Sequence, residues 1–135
     1  MSDVVIYDTS IFIDVLRTAR QLHKVESVSG LLRTSAVVLS ELWRGASKPS
    51  DREFLRVLSR RYPILTPTEK NWMEAGRILE TMRADRGFAP EKLRDLHFDV
   101  LIALTARSYG ARLMTSNRRD FELIHSYCKF KLEVW

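Results

Sequence analysis

The run Val4-Val5-Ile6-Tyr7 is apolar, largely β-branched and does not alternate with polar residues. A strand with one wet face alternates; an uninterrupted apolar run reads as a strand covered on both faces. Asp8-Thr9-Ser10 follows directly, and Thr9 or Ser10 can cap a helix opening with Ile11-Phe12-Ile13, with Phe12, Leu16 and Ala19 as its buried stripe. A doubly buried strand feeding a helix through a polar turn is the start of a βαβ unit, which calls for a parallel sheet.

The rest of the chain repeats that alternation. Residues 33–38 read as a second strand, and Ser40 as the cap of a helix that Gly45 ends. Ser50 with Glu53 forms a capping box for a helix presenting Phe54, Val57 and Leu58. Residues 62–65 make a short strand, placed at an edge by Pro63. Thr68 caps a long helix carrying Trp72, Ala75, Ile78, Leu79 and Met82, closed at Arg86-Gly87. From Pro90 a short helix precedes a longer one through residues 98–104, stopped by Gly110. Residues 112–115 read as a strand, Ser116-Asn117 as a cap, residues 120–124 as a short helix, and residues 129–134 as a half-exposed strand. The expectation is one α/β domain over residues 1–135. Its central sheet is mostly parallel, with four or five strands and helices on both faces.

A chain of 135 residues, 45% hydrophobic, suits one core and excludes a disordered or fibrous class. Lys and Arg outnumber Asp and Glu by 22 to 17, and a net charge of +5 favours a polyanionic or acidic partner. The single cysteine, Cys128, allows no internal disulfide and sits beside Tyr127 as core filler. The opening residues show no cationic segment followed by an apolar stretch, and no apolar run could span a bilayer. A cytoplasmic protein is expected.

Against this apolar background, Asp8, Glu41, Asp99 and Asp120 each fall where a strand or helix begins or ends. Ligand sites in open parallel sheets lie beyond the carboxyl ends of the strands. Asp8 follows the first strand, Glu41 lies just past the second, and Asp120 lies a few residues past the strand at 112–115. Asp99 shares a helix face with Ile102, Ala103 and Ala106, so it points toward the domain. Each has a structural explanation too: a cap at Asp8, first-turn acids at Glu41 and Asp120, a paired buried acid at Asp99. Gathered at one sheet edge, they would repel one another unless a cation neutralised them. Hard oxygen donors suit Mg²⁺ or Mn²⁺, and such a site can activate water and stabilise charge on a phosphodiester. Ser10, Ser116 and Asn117 are placed to orient the acids or to hydrogen-bond a phosphate, capping being their structural alternative.

Other residues carry less. Asp95 is either solvated or paired with Arg94 or Lys92, and Asp14 pairs with Arg17 or Arg20. His97 is a possible base, whereas His23 and His125 have no evident partner. Arg52, Arg56 and Arg60 recur every four residues as a solvated face or a phosphate track. Arg44 and Lys48, close after Glu41, are better placed for substrate or for an acidic partner segment. Trp43 and Trp72 read as core or interface.

The run from Val4 to Ile13 resembles the opening motif of PIN-domain ribonucleases, and more narrowly of VapC-type toxins from bacterial toxin–antitoxin pairs. Ser35–Leu42, Phe98–Ala103 and Leu113–Phe121 are similar to the later motifs of that family, in order and spacing. Ser10 stands where many relatives carry Asn. The resemblance implies a PIN-like fold with Asp8, Glu41 and Asp99 as metal ligands, and Asp120 with Asn117 completing the metal pocket. It implies a Mg²⁺- or Mn²⁺-dependent endoribonuclease acting on tRNA or rRNA and arresting translation. It also implies a homodimer and a cognate VapB-type antitoxin. Two other classes stay open. One is a non-catalytic nucleic-acid- or partner-binding module. The other is a phosphotransferase with Asp8 as nucleophile, although Ser10 occupies the position of the usual second aspartate.

Overall fold

The structure is a computed structural model that describes residues 3–19 and 22–135. Its strands are β1 (Val4–Tyr7), β2 (Leu31–Ser35), β3 (Ile64–Leu65), β4 (Arg112–Thr115) and β5 (Lys131–Val134), joined in one sheet. All neighbours pair in parallel, in the order β3-β2-β1-β4-β5. The helices are α1 (Thr9–Thr18), α2 (Leu22–Ser27), α3 (Ala36–Arg44), α4 (Pro49–Arg61), α5 (Glu69–Arg86), α6 (Pro90–Ser108) and α7 (Arg118–His125).

The apolar run sits where its composition demands. β1 is central, and Val5, Ile6 and Tyr7 are all buried, so both of its faces are covered. Tyr7 meets the ring of Phe12 edge-on at 5.8 Å, and its hydroxyl donates to the Val25 carbonyl of α2 at 3.4 Å. Gly30 lets β2 enter alongside β1: its φ is +135°, and a Cβ there would lie 2.8 Å from a Val5 methyl. The chain proceeds outward from β1 through β2 to β3, then returns to place β4 on the other side of β1. The gap between β1 and β4 is therefore the topological switch point, where α/β sheets bind ligands.

Several local expectations give way to side-chain chemistry. β2 ends at Ser35, not residue 38, because the buried Ser35 hydroxyl accepts from the N–H groups of Val37 and Val38 and starts α3 early. Ser40 is therefore inside the helix. The cap of α1 is Asp8, and Ala19 is its exposed left-handed C-cap rather than a buried residue. α4 starts at Pro49 with Lys48 as cap; Asp51, not Glu53, accepts the free N–H groups of Ser47 and Lys48. Leu55 and Leu58 line its buried face, and Val57 is exposed. Residues 90–108 form one continuous helix instead of two. Trp43 and Trp72 are 40% and 47% exposed, so neither belongs to the core. Thr68, Gly87 and Asn117 cap as expected, and Pro63 precedes an edge strand. No helix among the described residues is long and apolar enough to cross a membrane.

Candidate functional site

Asp8 leaves the carboxyl end of β1 and is 2% exposed. Its Oδ2 accepts from the Ser10 hydroxyl at 2.7 Å, the Ser10 N–H at 3.3 Å and the Thr115 hydroxyl at 2.9 Å. Its Oδ1 is equally buried and has no hydrogen-bond partner. Ser10 and Thr115 each have one hydroxyl proton, and both point it at the same carboxylate oxygen. The second oxygen is left facing whatever the pocket admits. Burial pushes the Asp8 carboxyl above the usual carboxylate range, against the pull of these hydrogen bonds.

The loop after β4 closes the other side of the switch point. The Ser116 N–H donates to the Ser10 hydroxyl at 3.1 Å, and the Asn117 N–H donates to the Thr115 hydroxyl at 2.9 Å. Ser116 Oγ donates to Asp14 at 3.0 Å; Asp14 makes no ion pair with Arg17, and Arg20 lies outside the described residues. Asn117 caps α7 by accepting from the Asp120 N–H, and its amide donates back to Asp120 Oδ2 at 3.3 Å. Lys92 completes this corner, with Nζ 3.0 Å from Asp120 Oδ1.

Glu41 is carried by α3. Its Oε1 accepts from the Thr9 hydroxyl at 2.8 Å, which ties it to the first motif. Burial raises its pKa first; the Asp8 charge adds to the rise, while Thr9 and Arg44 oppose it. Asp99 projects from the middle of α6 and makes no hydrogen bond to a described residue. Its pKa is pushed up to about 8, by burial first and then by the charges of Asp8, Glu41 and Asp120, with Lys92 opposing. Four acids far apart in sequence thus share one electrostatic neighbourhood.

The donor set is all oxygen, its charges repel, and one buried oxygen lacks any partner; these properties fit a hard divalent cation. As placed, no three His, Cys, Asp or Glu side chains among the described residues stand close enough together to grip an ion. A cleft of about 430 Å³ opens beside Glu41, lined by Arg44, Arg94, Asp95, His97 and Phe98. The Arg44 guanidinium lies 5.8 Å over the Phe98 ring.

Three site residues carry roles that the sequence did not disclose. Thr9 and Thr115 anchor Glu41 and Asp8, though Thr9 reads as a cap and Thr115 as a strand end. Lys92 pairs with Asp120 and not with Asp95, which is exposed, while Arg94 lies 3.7 Å from Glu91. Lys92 is seven residues before Asp99, so one helix presents both on one face. Reading α6 as two helices hides that relation. Elsewhere, Arg56 and Arg60 share Glu53 on an exposed face. His125 has a partner after all, the Phe130 carbonyl at 3.1 Å. Cys128 is buried, and burial pushes its thiol up to about 11, which keeps it unreactive.

A parallel α/β sheet with acids gathered beyond its switch point defines the class. The chain belongs to the PIN domain family, whose profile matches residues 5–125. PIN domains are generally nucleases and generally use divalent metal ions. No match to a curated protein reaches significance. Among solved structures the fold is similar to that of a chain in VapBC2 from Rickettsia felis bound to a DNA fragment from their promoter. The TM-score is 0.71 at 22% identity, covering 98% of each chain. DNA-bound VapBC from Salmonella typhimurium gives a TM-score of 0.67 at 22% identity, covering 100% of this chain and 99% of the other. A toxin–antitoxin complex from Klebsiella pneumoniae gives 0.60 at 21% identity, covering 87% and 89%. At these identities the likeness concerns the fold.

Proposed function

We propose that the chain is a Mg²⁺- or Mn²⁺-dependent endoribonuclease, the toxin of a toxin–antitoxin pair, cutting tRNA or rRNA and so arresting translation. The observation that carries this reading is Asp8 Oδ1, a buried carboxylate oxygen without a partner at the switch point. Leaving such a group unsatisfied is costly, and native structures retain it where function requires it. Asp8, Glu41 and Asp99 would hold the ion, and Asp120 with Asn117 would complete the pocket. A divalent ion there supplies Lewis-acid activation of water and charge stabilisation at phosphorus.

The protein's own part is positioning. Ser10 and Thr115 fix the rotamer of Asp8, and Thr9 fixes Glu41. Arg44, which lines the adjoining cleft, offers a cation to an RNA backbone. Unpaired loops suit a recessed site better than duplex does. The assembly partners of the structural neighbours support a VapB-type antitoxin as the partner of this chain, and the exposed Trp43 and Trp72 support a homodimer interface. A cytoplasmic location accords with such a target.

A second reading is favoured by one observation: among the described residues no three acids stand at ligating distance. It makes the chain a non-catalytic module that binds nucleic acid or a partner. Calorimetric titration of Mn²⁺ with parallel RNA cleavage separates the two. The nuclease binds Mn²⁺ and cleaves, and Asp8→Asn does neither while keeping the folded state. RNA binding without Mn²⁺ binding or cleavage would establish the module.

A further inference from the structure

The four acids are not equivalent. At one end, Asp8 Oδ1 is orphaned and Asp99 makes no hydrogen bond among the described residues. At the other, each Asp120 oxygen has a partner: Lys92 Nζ lies 3.0 Å from Oδ1, and the Asn117 amide donates to Oδ2 at 3.3 Å. Lys92 and Asp120 side chains are 35% and 22% exposed, so the pair is partly solvated and holds its place by hydrogen bonding as well as by charge. The Lys92 stem comes from the first turn of α6, and Asp120 from the first turn of α7. Asn117 holds Asp120 through both backbone and side chain, so the carboxylate cannot readily turn toward Asp8.

We infer that Lys92 is a built-in cation: it takes the place of a second divalent ion at Asp120, so this pocket holds one ion, which Asp8, Glu41 and Asp99 would share. This rests on the metal-dependent reading given above. Hydrogen bonding supports it. Both Asp120 oxygens already accept, from Lys92 and from Asn117, whereas Asp8 Oδ1 has no partner. Coordination chemistry agrees, because Mg²⁺ in protein sites usually takes one or two carboxylates and keeps several waters. Asp8 and Asp99 meet that demand without Asp120. Lys92 is thus a positioning residue, which fixes how many ions the acids accept and where.

The test is calorimetric titration of Mn²⁺ into the full chain, into Lys92→Met, Lys92→Arg and Asp120→Asn. The parent is expected to take one equivalent. Lys92→Met frees Asp120 and gains a second equivalent, or at least about tenfold tighter binding. Lys92→Arg keeps the cation and stays at one. Asp120→Asn keeps one equivalent with affinity within about threefold of the parent, since Asp120 is no ligand. Two equivalents in the parent, an unchanged isotherm in Lys92→Met, or loss of binding in Asp120→Asn overturns the inference and leaves the nuclease reading standing. No binding to the parent overturns both. Circular dichroism of each variant confirms that the isotherms come from folded protein.

Discussion

Asp8 and Asp51 are the two buried aspartates of the described chain, at 2% and 9% exposure. Both sit at helix N-termini, Asp8 as the cap of α1 and Asp51 in the first turn of α4. Their surroundings diverge. Asp51 accepts two otherwise free backbone N–H groups, from Ser47 and Lys48, and those bonds hold its carboxyl below the usual range. Asp8 has one oxygen served three times and one served by nothing, and burial holds it above the usual range. The same residue type near a helix start serves stability in one place and leaves a buried oxygen unsatisfied in the other. The difference lies in position: Asp51 stabilises a surface helix, whereas Asp8 stands at the switch point among three further acids.

The comparison is broken most forcefully by parallel substitutions assayed on RNA. On the proposed nuclease reading, Asp8→Asn is expected to lower the cleavage rate at least about a hundredfold, because Asp8 would be a metal ligand. Asp51→Asn should change it less than about twofold. Single-turnover rates at saturating Mn²⁺ decide the matter, and equal losses in the two variants would show that both act through the fold.

The next effect is on stability against pH in chelator. Asp99 titrates near 8 in the folded chain and near 4 in the unfolded one. Between those values the folded state keeps a proton that the unfolded state has released, so rising pH favours unfolding. The contribution is fully present below about pH 4 and is lost as pH climbs through 8, an expected fall on the order of a few kcal/mol. Asp51 and Glu74, the latter bound by both arms of Arg107, have lowered values and work in the opposite sense: their contribution is present above the unfolded pKa and lost as pH falls. Urea unfolding from pH 4 to 9 should therefore fall through pH 8 in the parent and flatten in Asp99→Asn. Saturating Mn²⁺ should restore the parent at high pH, because a ligand that binds only the folded state stabilises it. A level parent profile would place Asp99 in solvent.

How much of this was legible beforehand follows the range of the interactions. The β1 run, the caps at Thr68 and Asn117 and the stop at Gly87 are local, and local chemistry predicts them. The acids were visible because carboxylates next to an apolar strand or on a core helix face need a reason. Their supports were not visible. Thr115 reaches Asp8 across 107 residues, Lys92 reaches Asp120 across 28, and Thr9 reaches Glu41 across 32; no spacing rule encodes those contacts. β2 and α4 were misplaced by competing caps: Ser35 outcompetes Ser40, and Asp51 outcompetes Glu53, because each meets the N–H groups that are actually free.

The smallest effects test whether burial and hydrogen bonding, rather than charge at a helix start, set Asp51 apart. Glu53 provides the control, since it lies two residues further along the same helix. Its side chain is 61% exposed, and it pairs with Arg56 at 3.4 Å and Arg60 at 3.9 Å. Exposed pairs of this kind contribute little because water screens them and side-chain entropy opposes them. Asp51→Ala removes the acceptor for two backbone N–H groups and should lower stability more than any change at Glu53. Glu53→Gln keeps the helix propensity, loses only the screened charge and should cost less than about 0.5 kcal/mol. Raising the salt should erase even that for Glu53, while the Asp51 effect persists, since it rests on partly buried hydrogen bonds. Should the two substitutions cost the same at low and high salt, Asp51 would be an ordinary surface acid. The contrast with Asp8 would then lose its lower limb.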